Sequence, residues 1–310
     1  MKLKKISQKF FQNHEQSSAG NGLFVTVDDL VAERLLSLKW QINRLNRATS
    51  DQSGEIKSLF KGRGMEFEEI RAYAFGDDVR DIDWRVTARK QQPYTKLYAE
   101  EKDREVYVLL DMSASMVFGT KKELKSVTAA KIAARIGWQS LKHKDRFGCL
   151  LYGSNDTMLL KAQNTQANMM LIFKKIAEMS RNILTQAQNN DENSFKKAVA
   201  LLQQSIRHRA IVFVISDFSA FSEDVRKSFM QLAKKADVTF IPVYDCLEVF
   251  PPLDGEYMVQ QKHEQLIFST EERSFDYAYR HYFACKHQEI KDFCRKFKLH
   301  YLEHKTDECK

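Results

Sequence analysis

The chain is predicted to fold as an α/β protein, a mostly parallel sheet with helices on both faces, preceded by an irregular N-terminal subdomain. Three observations carry that prediction. Apolar runs of strand length stand at 105–110 (EVYVLL), 147–152 (FGCLLY), 210–215 (AIVFVI) and 238–243 (VTFIPV). They lack the alternation of a half-exposed strand, so each is expected to be buried on both sides. Segments of helical length and spacing separate them, the pattern of a sheet built by crossover connections. Two of the runs end on aspartate with serine beside it, at the carboxyl edge where open parallel sheets hold their ligands.

In chain order, residues 1–22 are basic and are read as a flexible start. They have no apolar core or small-residue cleavage site of a signal peptide. Thr26 to Asn46 reads as a helix, capped by Thr26 or Asp28, with Leu30, Val31, Leu35, Leu36, Trp40 and Ile42 on one side. Residues 47–58 are polar and loop-like, and 60–101 are densely charged with turns expected at Gly62, Gly64 and Gly76. These segments group as a 23–102 subdomain. The α/β domain spans 103–305. Its first strand, EVYVLL, is followed by a helix over 124–141, then by FGCLLY and a neighbouring strand at 157–161. Helices follow at 167–179 and 195–206, then AIVFVI, a helix over 221–235, VTFIPV, and a small hairpin inserted near 250–270. A long helix over 275–297 and a last strand at 299–302 close the domain.

Composition limits the functions open to such a chain. Among 310 residues, 43% are hydrophobic, enough for a sizeable core and too many for a disordered protein. Lys and Arg number 49 against 41 Asp and Glu, a formal charge of +8. The surplus is mixed: residues 1–60 hold nine basic and six acidic side chains, and 61–110 hold ten and eleven. A nucleic-acid footprint is therefore not expected. The five cysteines are widely and irregularly spaced, without the compact pairs of a zinc site. Thiols in a reducing cytoplasm fit them better than a disulfide framework. Nowhere do eighteen apolar residues run together, so membrane insertion is not expected, with peripheral attachment left open. Neither G-x-G-x-x-G after the first strand nor a G-K-[ST] phosphate loop is present.

The candidate chemistry lies at the two strand ends. Asp111-Met112-Ser113-Ala114-Ser115 follows the first strand, and Asp217 follows AIVFVI. One carboxylate and two hydroxyls on one side of a turn, with a second carboxylate nearby, are hard oxygen donors suited to Mg2+ or Mn2+. Ser194, at a helix start, is a further hydroxyl. The same residues have a plainer reading, since serines after a strand cap helices and Asp217 can cap the helix after it.

At this point the sequence resembles a known family. GRGMEFEEIRAYAFGDDVRDIDWRVTARK at 62–90, the DMSAS loop at 111–115 and VYDCLEVFPPLDGEY at 243–257 are similar to the DUF58 proteins, over roughly 20–305. Their carboxy-terminal part looks like a von Willebrand factor A domain, a Rossmann-like fold. The resemblance implies a metal-ion-dependent adhesion site: Asp111, Ser113 and Ser115 in its first motif, Ser194 where the family usually has threonine, and Asp217 in the third. It implies Mg2+ as cofactor, with Mn2+ or Ca2+ as alternatives, and a protein partner whose Asp or Glu completes the coordination. A MoxR-type AAA+ ATPase is the partner the family suggests, in assembly or maturation of complexes.

The 62–90 segment interleaves Arg71, Arg80, Arg85 and Arg89 with Asp77, Asp78, Asp81 and Asp83 around Tyr73, Phe75, Ile82 and Trp84. It reads either as a satisfied polar network that locks the subdomain or as a partner-binding platform. Three function classes follow. A metal-dependent adaptor leads. A metal-dependent hydrolase or phosphatase would need a base that the sequence does not place beside DMSAS. A nucleic-acid binder would need the basic surplus to gather on one face.

Overall fold

The computed structural model describes residues 22–37, 65–75, 77–100, 104–153, 156–185, 192–206, 210–253, 255–261, 264–270 and 273–306. The chain forms two compact units, one of residues 42–103 and one of residues 1–41 with 104–310.

The larger unit is built on β3 (Glu105–Met112), flanked by β4 (Arg146–Gly153) and β6 (Ala210–Ser216), both parallel to it. β7 (Ala236–Tyr244) continues the sheet beyond β6, and β10 (His300–Tyr301) and β11 (His304–Lys305) both pair with β7. On the other side β5 (Thr157–Gln163) runs antiparallel to β4 as an edge. The order β10-β7-β6-β3-β4-β5 is the doubly wound one, in which chain direction reverses on either side of the first strand. This is the mostly parallel sheet with helices on both faces that was expected.

The sequence dictates why both faces are covered. All of β6 is buried, as are seven of eight residues in β3 and in β4, so alternate side chains feed two cores. On one face Tyr107, Leu109, Leu150, Val212, Val214 and Phe240 join one cluster with α5 (Glu192–Ser205), α6 (Glu223–Ala233) and α8 (Arg273–Lys296). Aromatic rings do much of the filling there: Phe240 lies 4.8 Å from Phe229 and 4.6 Å from Phe218. The other face carries α3 (Lys125–Lys142) and α4 (Gln166–Thr185).

The short helix α1 (Val27–Ser37) packs on α3 and α4, although the sequence reading grouped it with the segment that follows. Leu30 is fully buried there, its carbonyl accepts from Trp138 Nε1 at 3.0 Å, and Glu33 pairs with Arg135 at 2.6 Å. The remainder of the expected helix, 38–46, and the loop at 47–58 lie outside the described residues. α7 (Cys246–Val249) follows β7, capped reciprocally by Asp245 and Glu248. The inserted hairpin is present as β8 (Glu256–Gln261) and β9 (Glu264–Ser269). The last strand, expected over 299–302, is two short pieces.

In the smaller unit β1 (Met65–Ala72) pairs antiparallel with β2 (Tyr94–Glu100), with an irregularity between Phe67 and Glu69. A 3-10 turn at Val79–Asp81 and α2 (Trp84–Lys90) fill the connection. The sequence predicts an irregular region here, because charges at positions of both parities in β1 hide its period-two pattern.

Among the described residues Cys149, Cys285 and Cys294 are free thiols, Cys149 and Cys294 buried and Cys285 exposed.

Candidate metal centre

Three chain segments converge at the carboxyl ends of β3 and β6. Asp111, one residue before the end of β3, is buried, and its Oδ1 accepts from the Ser113 amide at 2.9 Å. Its Oδ2 accepts from the Ser216 hydroxyl at 2.5 Å, so one carboxylate oxygen is held by the loop that follows β3 and the other by neighbouring β6. The chain then turns through a 3-10 segment at Ala114–Met116, which brings Ser115 back over the strand end. Ser113 Oγ lies 3.1 Å from Ser115 Oγ, and Ser115 donates to Asp217 Oδ1 at 3.1 Å. The Ser219 hydroxyl donates to Ser115 Oγ at 3.0 Å, and the Ser219 amide to Asp217 Oδ1 at 2.9 Å.

The turn after β6 that aims Asp217 is strained. Phe218 takes a left-handed φ of 51° although it carries a full side chain. Its ring is fully buried among Phe221 and Phe240, and its amide donates to Ser216 Oγ at 2.9 Å. Core packing therefore holds a backbone conformation that would otherwise relax.

The electrostatics are those of crowded anions. Burial, together with the nearby Asp217 charge, pushes the Asp111 carboxyl up to about 6. Burial alone would raise Asp217 as well. Lys125 outweighs it, with Nζ 2.8 Å from Asp217 Oδ2, and holds that carboxyl below its usual range. Lys125 is itself almost fully buried and also reaches Glu248 Oε1 at 2.8 Å. Desolvation would lower its ammonium, but the two carboxylates prevail and raise it. Lys125 thus belongs to an ion triad that links α3, the β6 turn and α7. Asp245, fully buried beside it, takes Thr120 Oγ1 at 2.6 Å, Thr306 Oγ1 at 2.7 Å and two backbone amides, and so ties the loop after Ser115 to the end of β7.

The donor set fits a small hard cation. The side chains of Asp111, Ser113, Ser115 and Asp217 offer carboxylate and hydroxyl oxygens, and the 3.0–3.1 Å separations among the hydroxyl and Asp217 oxygens match the roughly 3 Å between adjacent oxygens of an octahedron with Mg–O near 2.1 Å. Asp111, Asp217 and Glu248 carry three formal negative charges against one on Lys125, so a divalent ion would neutralise the remainder.

Of the sequence-predicted residues, Asp111, Ser113, Ser115 and Asp217 come together. Ser194 lies half-buried in the first turn of α5, and the hydrogen bonds that define the cluster run among the other four with Ser216, Ser219 and Lys125. In the smaller unit Arg71 pairs with Asp77 at 2.7 Å, Asp78 caps the 3-10 turn through the Arg80 amide, and Asp83 caps α2 through the Arg85 and Val86 amides. Arg89 falls in the last turn of α2, while Trp84 and Phe75 are exposed and do not act as buried anchors. Sequence reasoning missed Lys125, Ser216, Ser219 and Glu248. Lys125 had a legible signal: it shares one helical stripe with Ala129, Ile132 and Ile136, all buried.

The family described as "Protein of unknown function DUF58" matches residues 69–289, more than half of the chain. The chain belongs to the DUF58 family. This DUF58 protein is 29% identical over 231 residues to the uncharacterized protein Rv1480 of Mycobacterium tuberculosis, covering 74% of this chain and 70% of that one. Among solved structures, it is similar to the conserved hypothetical protein BatB from Bacteroides thetaiotaomicron, with 17% identity, TM-score 0.41, and coverage of 66% of this chain and 91% of that one. It is also similar to a von Willebrand factor type A protein from Catenulispora acidiphila, with 11% identity, TM-score 0.26, and 49% and 35% of the two chains covered. No helix among the described residues is long and apolar enough to cross a membrane.

Proposed function

We propose that this DUF58 protein is a metal-dependent protein-binding adaptor that holds Mg2+ between Asp111, Ser113, Ser115 and Asp217 and binds a partner through the partner's Asp or Glu. The observation that carries the reading is the convergence of these four side chains at the carboxyl edge of the sheet, with two carboxylates in one buried network. Mn2+ or Ca2+ would suit the same hard donors. Four protein ligands leave places for water and for an outside carboxylate, and such a charge-assisted contact makes association depend on the ion.

Binding is favoured over nucleophilic catalysis by the state of Asp217. A serine nucleophile needs an adjacent base, yet the carboxylate that accepts from Ser115 is held low by Lys125 and is a poor proton acceptor. A MoxR-type AAA+ ATPase is the partner we propose, working with the chain in assembly or maturation of complexes.

The test is retention of partners from native lysate by tagged wild type and Asp111→Ala, each in magnesium and in EDTA. A partner kept only by wild type in magnesium supports the adaptor, and a MoxR-type ATPase in that fraction supports the named partner. Identical proteins in all four samples would sink the metal-bridged mode.

A further inference from the structure

Beside the metal centre the surface is hollow. A cavity of about 260 Å3 is lined by Asp217, Tyr244, Glu248, Tyr279, Tyr282 and Lys286 among others. A second, more open hollow of about 540 Å3 shares Tyr282 and Lys286 with it and runs on along Phe218, Ser219 and α8. Asp217 therefore belongs at once to the oxygen cluster and to the wall of the first cavity. An occupant whose carboxylate sits at the cluster has the cavity as its next contact.

The charges around the hollow are unequal in their commitments. Asp217 and Glu248 are engaged on both oxygens: Asp217 by Ser115, Ser219 and Lys125, and Glu248 by Lys125 and the Asp245 amide. Neighbouring cations on α8 and α6 are also paired, Arg280 with Asp276 and Arg226 with Glu289. Lys286 is different. It is half-buried, its charge is felt at Asp217, and it makes no hydrogen bond or ion pair among the described residues. The walls that accompany it are aromatic, with Tyr244, Phe283 and His287 in mutual ring contact and the Tyr279 hydroxyl turned away to the Leu247 carbonyl.

From this juxtaposition we infer that the hollow between β7 and α8 is the second half of the partner site, and that it takes an acidic–aromatic peptide segment: one carboxylate at the Asp111–Asp217 cluster, an aromatic side chain against Tyr244, Tyr279 and Tyr282, and a second carboxylate on Lys286. The inference rests on the adaptor reading and adds the chemistry of the partner. The cavity has room for one large side chain, since a water takes about 30 Å3 of the liquid. An aromatic ring entering it gains apolar burial and edge-to-face contact. A carboxylate on Lys286 satisfies a half-buried ammonium that no group among the described residues pairs with. One anion site would admit any acidic side chain, whereas two anion sites separated by an aromatic slot read a sequence.

The experiment is a selection of a random peptide library on the purified full chain in magnesium, followed by affinity measurements with an enriched peptide. The expected consensus has two acidic residues with an aromatic between or beside them. Its binding should disappear in EDTA and in Asp111→Ala, and Lys286→Glu or Tyr282→Ala should weaken it about tenfold or more. Lys286→Gln should have a smaller effect, and thermal melting of all Lys286 and Tyr282 variants should match wild type. Magnesium-dependent binding that is indifferent to Lys286→Glu and Tyr282→Ala overturns the second half of the site and leaves the adaptor reading intact. Binding that needs Lys286 but persists in EDTA and in Asp111→Ala overturns the metal-bridged reading instead. A basic consensus, which aromatic walls and carboxylates would also attract, or no consensus at all, overturns the acidic–aromatic partner.

Discussion

His287 shows how a single residue ties stability to solution conditions. It is buried on α8, with Nδ1 3.1 Å from the Tyr301 hydroxyl and its ring against Phe283 and Tyr244. Burial drives its pKa from the ordinary 6.5 down to about 4, the nearby Lys286 and Lys291 adding to this and Glu303 opposing it. The unfolded chain therefore takes up this proton first as pH falls. Its contribution is complete above about pH 6.5, shrinks as the solution is acidified, and levels off below about pH 4. Allowing for the solvent-facing part of the ring, the loss is about 2 kcal/mol. Urea unfolding of wild type at neutral pH and near pH 4.5 should show it, and His287→Gln should lose much of the difference. An equal acid slope in wild type and variant would place the acid sensitivity elsewhere.

Among the elements, α1 is the most informative. It is short and its outer face exposes Leu35 and Leu36, so intrinsic helix stability contributes little. What holds it is Leu30 in the groove against α3, the Trp138 indole on the Leu30 carbonyl and the buried Glu33–Arg135 pair. Leu30→Ala should cost about 2–4 kcal/mol, from lost apolar burial and the cavity left behind. Chemical denaturation measures this directly, and a change under about 0.5 kcal/mol, the size of an ordinary surface substitution, would mean that α1 is not part of the folded unit. The loop after Ser115 depends on its neighbours in a similar way. Its position is set by Asp245, which lies far along the chain and takes donors from Thr120 and Thr306.

At the scale of the whole molecule, the centre is a place where folding leaves negative charges close together. Asp111 is the member least comfortable without a cation, being buried beside Asp217. A ligand that binds only the folded state stabilises it by mass action, about 2.7 kcal/mol at a hundredfold excess over Kd. Magnesium should therefore raise the melting temperature of wild type by several degrees. Asp111→Asn should melt at or above the wild-type temperature without the ion and gain nothing when it is added. A magnesium shift that survives in Asp111→Asn would place the ion elsewhere.

The parts of this protein that were legible in the sequence are those in which a local pattern carries the physics. A strand buried on both faces must be apolar throughout, so EVYVLL and AIVFVI declare β3 and β6, and loops at their carboxyl ends declare Asp111, Ser113, Ser115 and Asp217. The β1–β2 pairing was not legible, because β1 carries charge at positions of both parities. The role of Lys125 was not legible either. A lysine on an apolar helix face becomes meaningful only when Asp217 and Glu248, each more than ninety positions away, are brought to its ammonium. Likewise Tyr244 and Lys286 acquire a common cavity only because β7 and α8 are packed side by side. Sequence by itself determined which residues could be strand, helix and oxygen donor, since those follow from covalent character and short-range periodicity. Which charges meet, and which cation is left without a partner among the described residues, was decided by the tertiary structure, because electrostatic energy depends on distance and burial, and neither is a property of the chain order.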